Sequence, residues 1–356
     1  MAQSFGIGRI FGIGIELHWT FILLMLFTLL LSTYLFVLIL LLFVCVLVHE
    51  LAHSVTSLRN GIKVKKIILL PIGGASIIDE TKLRPETEFG IAISGPLMSL
   101  FLGCAFGVLV IFAPPGTANM LLQYLFEINL LLGVFNLLPA FPTDGARVFR
   151  SWLERKHGEY EATMMTVTAS KWVMALFVLG TVVYLALISA PLYYKEFTLL
   201  WDLIIVIFLY GGAVAERQAA TLKREAKGVG IGGAVNGHFR LVRPDSTVAE
   251  LYALVRKTKE HVLITPLGDG FAYVNLMAKV KQGSVRRAAD LAVKIPSIAA
   301  NAGIIEAIQA MENAESGIAV VVRRGKLVGV LTMSGLQSFL ALHVLNKRQP
   351  AVPSSK

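Results

Sequence analysis

His49, Glu50 and His53, in the string VLVHELAHS, are the residues of this chain whose types and spacing point most directly to chemistry. On a helix, positions four apart lie on one face, so His49 and His53 present two imidazoles to a single cation. Glu50 is rotated from them by about a hundred degrees. It does not join them as a ligand, but it reaches a water held there. This is the H-E-x-x-H arrangement. Zinc draws the water's pKa towards neutrality, and Glu50 takes its proton as the water attacks a carbonyl, then returns it to the leaving amine. The bland alternative is a buried polar cluster that joins helices. A catalytic zinc takes three protein ligands. Asp144, in NLLPAFPTDGAR, is the best third candidate. On spacing alone it serves as readily to cap a helix that starts at Gly145.

The elements that must position these groups are apolar. Of 356 residues, 55% are hydrophobic and only 16% charged, against about a quarter charged in soluble chains; the mean hydropathy is +0.69. A bilayer core needs about twenty apolar residues per helix. Six runs come near that length: Leu17–Leu31, Tyr34–Leu58, Phe89–Phe112, Leu121–Leu138, Thr166–Ala190 and Phe197–Ala215. Pro139 and Pro142 interrupt the chain after the fourth, and broken helix at membrane depth belongs beside a cavity. Lys and Arg fall in every second loop: Arg59, Lys63, Lys65, Lys66, Lys82 and Arg84, then Arg147, Arg150, Arg155 and Lys156, then Arg217, Lys223, Arg224 and Lys227. The positive-inside rule therefore predicts a multi-pass cell-membrane protein with both termini in the cytoplasm. That placement also explains the net charge of +10 without nucleic acid as a partner. Cys45 and Cys104 both lie in apolar runs and suggest no disulfide. His18, at the start of the first run, reads as an interfacial or hydrogen-bonded residue, not a ligand.

HELAH in one span with NLLPAFPTDG closing a later one resembles the site-2 protease family of intramembrane metalloproteases, and the resemblance covers nearly the whole chain. It implies cleavage of single-span, membrane-anchored proteins, with one Zn2+ per chain on His49, His53 and Asp144 and Glu50 as catalytic acid and base. It also implies that Asn136 steadies the oxyanion of the transition state or orients the substrate. Asn129, on nearly the same face, reads as a helix–helix hydrogen-bonding residue. Ala146 departs from the second glycine of many relatives. The segment KVKKIILLPIGGASII, 63–78, is β-branched, broken at Pro71 and Gly73–Gly74, and too short to span. It predicts a hairpin or edge strand beside the site, in which Ile72, Gly73 and Gly74 receive an unwound substrate as an added strand; the alternative is a plain surface hairpin. Ser94–Gly95–Pro96 is expected only to let helices approach closely.

After the last run, 216–237 reads as a linker with a glycine-rich hinge at 228–237, and 347–356 as a tail. Between them, HVLITPLGDGFAYVNLMA parallels IAVVVRRGKLVGVLTMSG. The two repeats resemble a tandem of CBS domains, 238–282 and 284–346. The expected architecture is thus a polytopic α-helical membrane protein of about six spans, with a cytoplasmic α+β CBS-domain pair. The acidic residue that holds a ribose in such domains is missing near Thr332, and Asn275 and Ala278 do not supply it in the first repeat. An adenine nucleotide and a dimerising or substrate-gating role remain open alternatives. For the whole chain the competing readings are a CBS-regulated transporter or channel, and an inactive protease-like scaffold. The first lacks the internal pseudo-symmetry usual in transporters, and the second sits badly with an intact Glu50.

Overall fold

A computed structural model describes residues 4–78, 83–189, 191–260, 262–268, 270–276, 287–314 and 316–348. Lys82, His261, Ala278 and the terminal residues 349–356 lie outside the described residues. The chain divides into two compact units, Met1–Thr221 and Leu222–Lys356.

The first unit opens on a hairpin, β1 (Ser4–Ile10) and β2 (Ile13–His18), where the sequence showed only a glycine-rich stretch. The tip turns through Phe11 and Gly12, both at positive φ. His18 ends β2 and caps α1 (Trp19–Leu31), with Nδ1 2.6 Å from the Thr20 hydroxyl. The first apolar run is thus shared between a strand and a helix of thirteen residues, too short to cross a bilayer. Ser32 breaks the chain before α2 (Thr33–Arg59). Then come β3 (Val64–Leu70), β4 (Gly73–Ile78), α3 (Pro85–Phe112), α4 (Thr117–Asn136), α5 (Asp144–His157), α6 (Glu159–Leu187) and α7 (Leu192–Ala226). Five of these helices, α2, α3, α4, α6 and α7, are long and apolar enough to span, so the chain is a multi-pass membrane protein.

The four strands form one sheet in the order β1-β2-β3-β4, with β2 parallel to β3 and the other neighbours antiparallel. Alternation in β2 and β3, reset by a bulge between Val64 and Lys66, turns Ile13, Val64, Ile67 and Leu69 onto a single buried face, which packs with Phe43 and Val46 of α2. Helix α5 is different in kind: amphipathic, basic in its last turn, and tied to the spans by Arg150. That guanidinium pairs with Glu88 of α3 and with Glu216 of α7, the latter at 3.3 Å, and lies over the Phe141 ring. Asn129 bonds Cys45 of α2 through Nδ2 at 3.1 Å, the interhelical role its position suggested.

In the second unit, the strand β5 (Arg240–Leu241) precedes the helix α8 (Val248–Thr258), the strands β6 (Leu263–Leu267) and β7 (Gly270–Val274), and then β8 (Ala292–Ile295). These four strands form one sheet in the order β5-β6-β7-β8. The strand β9 (Ser297–Ala299), helix α9 (Ile304–Asn313), hairpin β10 (Ile318–Arg323) and β11 (Lys326–Thr332), and helix α10 (Met333–Arg348) build the other half. Ile264, Ile295, Val320 and Val330 pack the two sheets together. The segment 228–237 does not behave as a free hinge. Ile231 is fully buried with Ile298, Ile304 and Leu336, and backbone bonds tie Ile231 to Ala302 and Asn236 to Val330. One isoleucine among the glycines gives the segment a hydrophobic anchor.

Candidate metal centre

The site begins with the register of α2. His49 is buried and His53 nearly so, one turn apart on the face that meets α3. Each imidazole is fixed from behind. His53 Nδ1 lies 2.7 Å from the carbonyl oxygen of Ile91, and His49 Nδ1 lies 2.9 Å from the hydroxyl of Ser99. A carbonyl only accepts, so the His53 proton sits on Nδ1 and the lone pair of Nε2 points the other way. Such outer contacts set tautomer and ring orientation in metal-binding histidines. The two Nε2 atoms converge to 3.1 Å.

Asp144 reaches the same point from across the fold. Its Oδ2 lies 3.0 Å from His49 Nε2 and 3.2 Å from His53 Nε2. Thr143 occupies the cap position and Asp144 the first turn of α5, so the carboxylate faces the imidazoles and does not serve as the cap. The turn before it is held by the Thr143 hydroxyl, which donates to Leu138 O at 2.6 Å, and by Ser170 Oγ, which accepts from Phe141 N at 3.0 Å. Helix α7 leans directly on this turn: a β-carbon at Gly212 would lie 2.6 Å from Pro142 Cδ.

Two nitrogens and one oxygen thus sit 3.0–3.2 Å apart. A tetrahedral zinc with bonds of about 2.0–2.1 Å separates its ligand atoms by about 3.3 Å. The donor types, spacing and open side therefore fit a three-ligand catalytic zinc. This is the one cluster of its kind among the described residues. Gly95 of α3, expected only to ease packing, closes the back of the site. A β-carbon there would lie 2.2 Å from His53 Nε2 and 2.7 Å from His49 Nε2.

A cavity of about 490 Å3 opens on the cluster. Glu50 lies in its wall beside β4, where Ser76 Oγ donates to Glu50 Oε2 at 2.8 Å. Asn136 lines the same cavity, but its amide donates to Leu132 O within its own helix and makes no bond to the cluster. Ile72, Gly73 and Gly74 form the rim, with Ile72 84% exposed at the β3–β4 turn. Gly74 packs on Glu50: a β-carbon would lie 2.4 Å from Glu50 Cγ. Sequence reasoning missed Ser76, Ser99, the Ile91 carbonyl and the role of Gly95. Each becomes visible only when a second element is laid across α2.

Residues 37–118 and 113–180 match the sequence model described as peptidase family M50, and residues 288–341 match that of the CBS domain. A zinc metalloprotease of Methanocaldococcus jannaschii is 31% identical over 353 residues, which take in 94% of this chain and 96% of the relative. The stage IV sporulation protein FB of Bacillus subtilis is 33% identical over 108 residues, 29% of this chain and 35% of that protein. A solved site-2 protease from Methanocaldococcus jannaschii is 34% identical and covers 60% of this chain and 95% of its own, with a TM-score of 0.44. The full-length match to a metalloprotease, together with the family match over the segment that carries both histidines and Asp144, makes this chain a member of peptidase family M50, the site-2 protease family, with a CBS domain near its C-terminus.

Proposed function

We propose that this chain is an intramembrane zinc endopeptidase that hydrolyses peptide bonds in or near the transmembrane segments of single-span membrane proteins, with His49, His53 and Asp144 as ligands of one Zn2+. The observation that carries the reading is the convergence of these three side chains at 3.0–3.2 Å on the wall of a cavity shared with Glu50. Bound zinc supplies a Lewis acid that polarises the scissile carbonyl and lowers the pKa of water. The chain's own groups do the rest. Glu50 takes a proton from the attacking water and passes it to the leaving nitrogen; the C–N bond breaks, and a carboxylate and an amine leave. Asn136, which lines the same cavity, offers its side chain to the substrate or the developing oxyanion. Ile72 precedes, and Gly73 and Gly74 open, the outer strand β4 of the sheet, where an unwound substrate adds as an extended segment.

The basic loops support a cytoplasmic location for both termini and for the tail. Within the tail, the strands β5, β6 and β7 and the helix α8 support reading 238–282 as a CBS domain beside the one at 284–346. Thr332 Oγ1 accepts from Gly335 N at 3.0 Å at the start of α10, and Gly335, the third residue after the threonine, offers no carboxylate to a ribose. This favours dimerisation or substrate gating over adenine-nucleotide binding. Titration of the whole chain with ATP separates these roles.

The deciding experiment reconstitutes the protein with a single-span substrate. One zinc per chain and chelator-sensitive cleavage are expected. His49→Ala loses both metal and activity. Glu50→Gln keeps the metal and lowers turnover by about 10²–10⁴-fold. Full activity in metal-free protein would overturn the reading.

A further inference from the structure

Glu50 is gripped from a strand. The β3–β4 register sets Gly74 opposite Leu69 and Ser76 opposite Ile67. Residues two apart in a strand share a face, and Ile67 and Leu69 are buried in the cluster that includes α2. Gly74 and Ser76 therefore face α2 as well. At Gly74 the missing side chain makes room for the Glu50 stem. At Ser76 the hydroxyl donates to Glu50 Oε2 at 2.8 Å. Ser54, one turn beyond Glu50 on α2 and fully buried, places its own Oγ 3.3 Å from Ser76 Oγ.

These contacts define a direction. A carboxylate accepts and cannot donate, so the Ser76 proton is committed to Glu50. The Ser76 oxygen is then left as acceptor for the hydroxyl of the buried Ser54. The chain Ser54 to Ser76 to Glu50 fixes one carboxylate oxygen. The other, Oε1, carries no hydrogen bond among the described residues and remains free for a proton in transit. We propose that Ser76 is a positioning residue for this reaction: it locks the rotation of the Glu50 carboxylate from the outer strand of the sheet, with Ser54 orienting its hydroxyl. The proposal rests on Glu50 acting as the proton carrier described above. Because β4 also borders the cavity rim, an extended substrate laid along its outer edge would steady the strand that aims the carboxylate.

The test uses the full chain, reconstituted with a single-span substrate, and reads kcat, KM and zinc content separately for Ser76→Ala, Ser76→Thr, Ser54→Ala and Glu50→Gln. A hydrogen bond to a charged group is worth enough to predict a fall of about tenfold in kcat for Ser76→Ala. KM should stay within about twofold, and zinc should remain at one per chain. Ser76→Thr, which keeps the hydroxyl, should recover most of the loss, and Ser54→Ala should cost less than Ser76→Ala. Unchanged kcat in Ser76→Ala, with Glu50→Gln inactive, would overturn the proposal and leave the peptidase reading standing. So would a Ser76→Thr enzyme that holds zinc and is as slow as Ser76→Ala. Glu50→Gln turning over normally would remove the proton carrier itself, and the proposal with it.

Discussion

Gly95 tolerates no side chain where it stands, because two imidazole nitrogens occupy the space a methyl group would take. Gly95→Ala should therefore push both rings off their common point. Zinc affinity is expected to fall by about 10–100-fold, the order seen when groups that orient metal ligands are removed; competition with a chelator measures it. Helical content by circular dichroism should not change, since alanine favours the helix over glycine. The pairing of His49 with His53 was legible in the sequence, because a four-residue spacing within one helix is local information. On spacing alone Asp144 was legible only as one of two readings, since nothing local separates a ligand from a cap; the family resemblance singled it out. Gly95 and Ser99 could not be read at all: their roles depend on where α3 crosses α2. The same holds for Ser76, whose partner lies across a sheet-to-helix contact.

At the scale of elements, Arg150 is the fastening most open to test. It joins α5 to α3 through Glu88 and to α7 through Glu216, with 18% of its side chain exposed. Removing one partner of a buried ion pair costs about 3–5 kcal/mol, and the partial exposure here discounts that to about 1–3 kcal/mol. Arg150→Met should lower the unfolding temperature in detergent, and Glu88→Gln in the same chain should return part of the loss by removing a stranded charge. Helix α7 supplies a second test. Gly212→Val inserts side-chain atoms against Pro142, and such overpacking typically costs about 1–3 kcal/mol. Because Pro142 lies two residues before Asp144, zinc retention during dialysis should fall along with thermal stability. The spans were readable from hydropathy alone. The N-terminal hairpin was not: its glycines hid the alternation, and Leu17 and His18 were absorbed into the first apolar run.

Across the whole molecule, His49, His53 and Asp144 and every residue lining the cavity fall within Met1–Thr221. A chain ending at Lys227 should thus insert, bind one zinc and cleave, while losing whatever control the tail exerts. Failure of a correctly inserted 1–227 chain to hold zinc would show that the second unit is needed to build the site. The tail's repeat was visible as two strand pairs of similar pattern. Its supposed hinge was misjudged because glycine content speaks for freedom only until one large apolar residue, here Ile231, finds a pocket.

Helix α1 has a consequence for the surrounding lipid. Thirteen residues rise about 20 Å, whereas the hydrocarbon of a bilayer is about 30 Å thick. Acyl chains bordering α1 would meet a hydrophobic mismatch, which a leaflet relieves by dipping towards the shorter wall. A hydrolytic enzyme needs water where the solvent is oil; a dimple in the bilayer at this flank would shorten the path that water must travel.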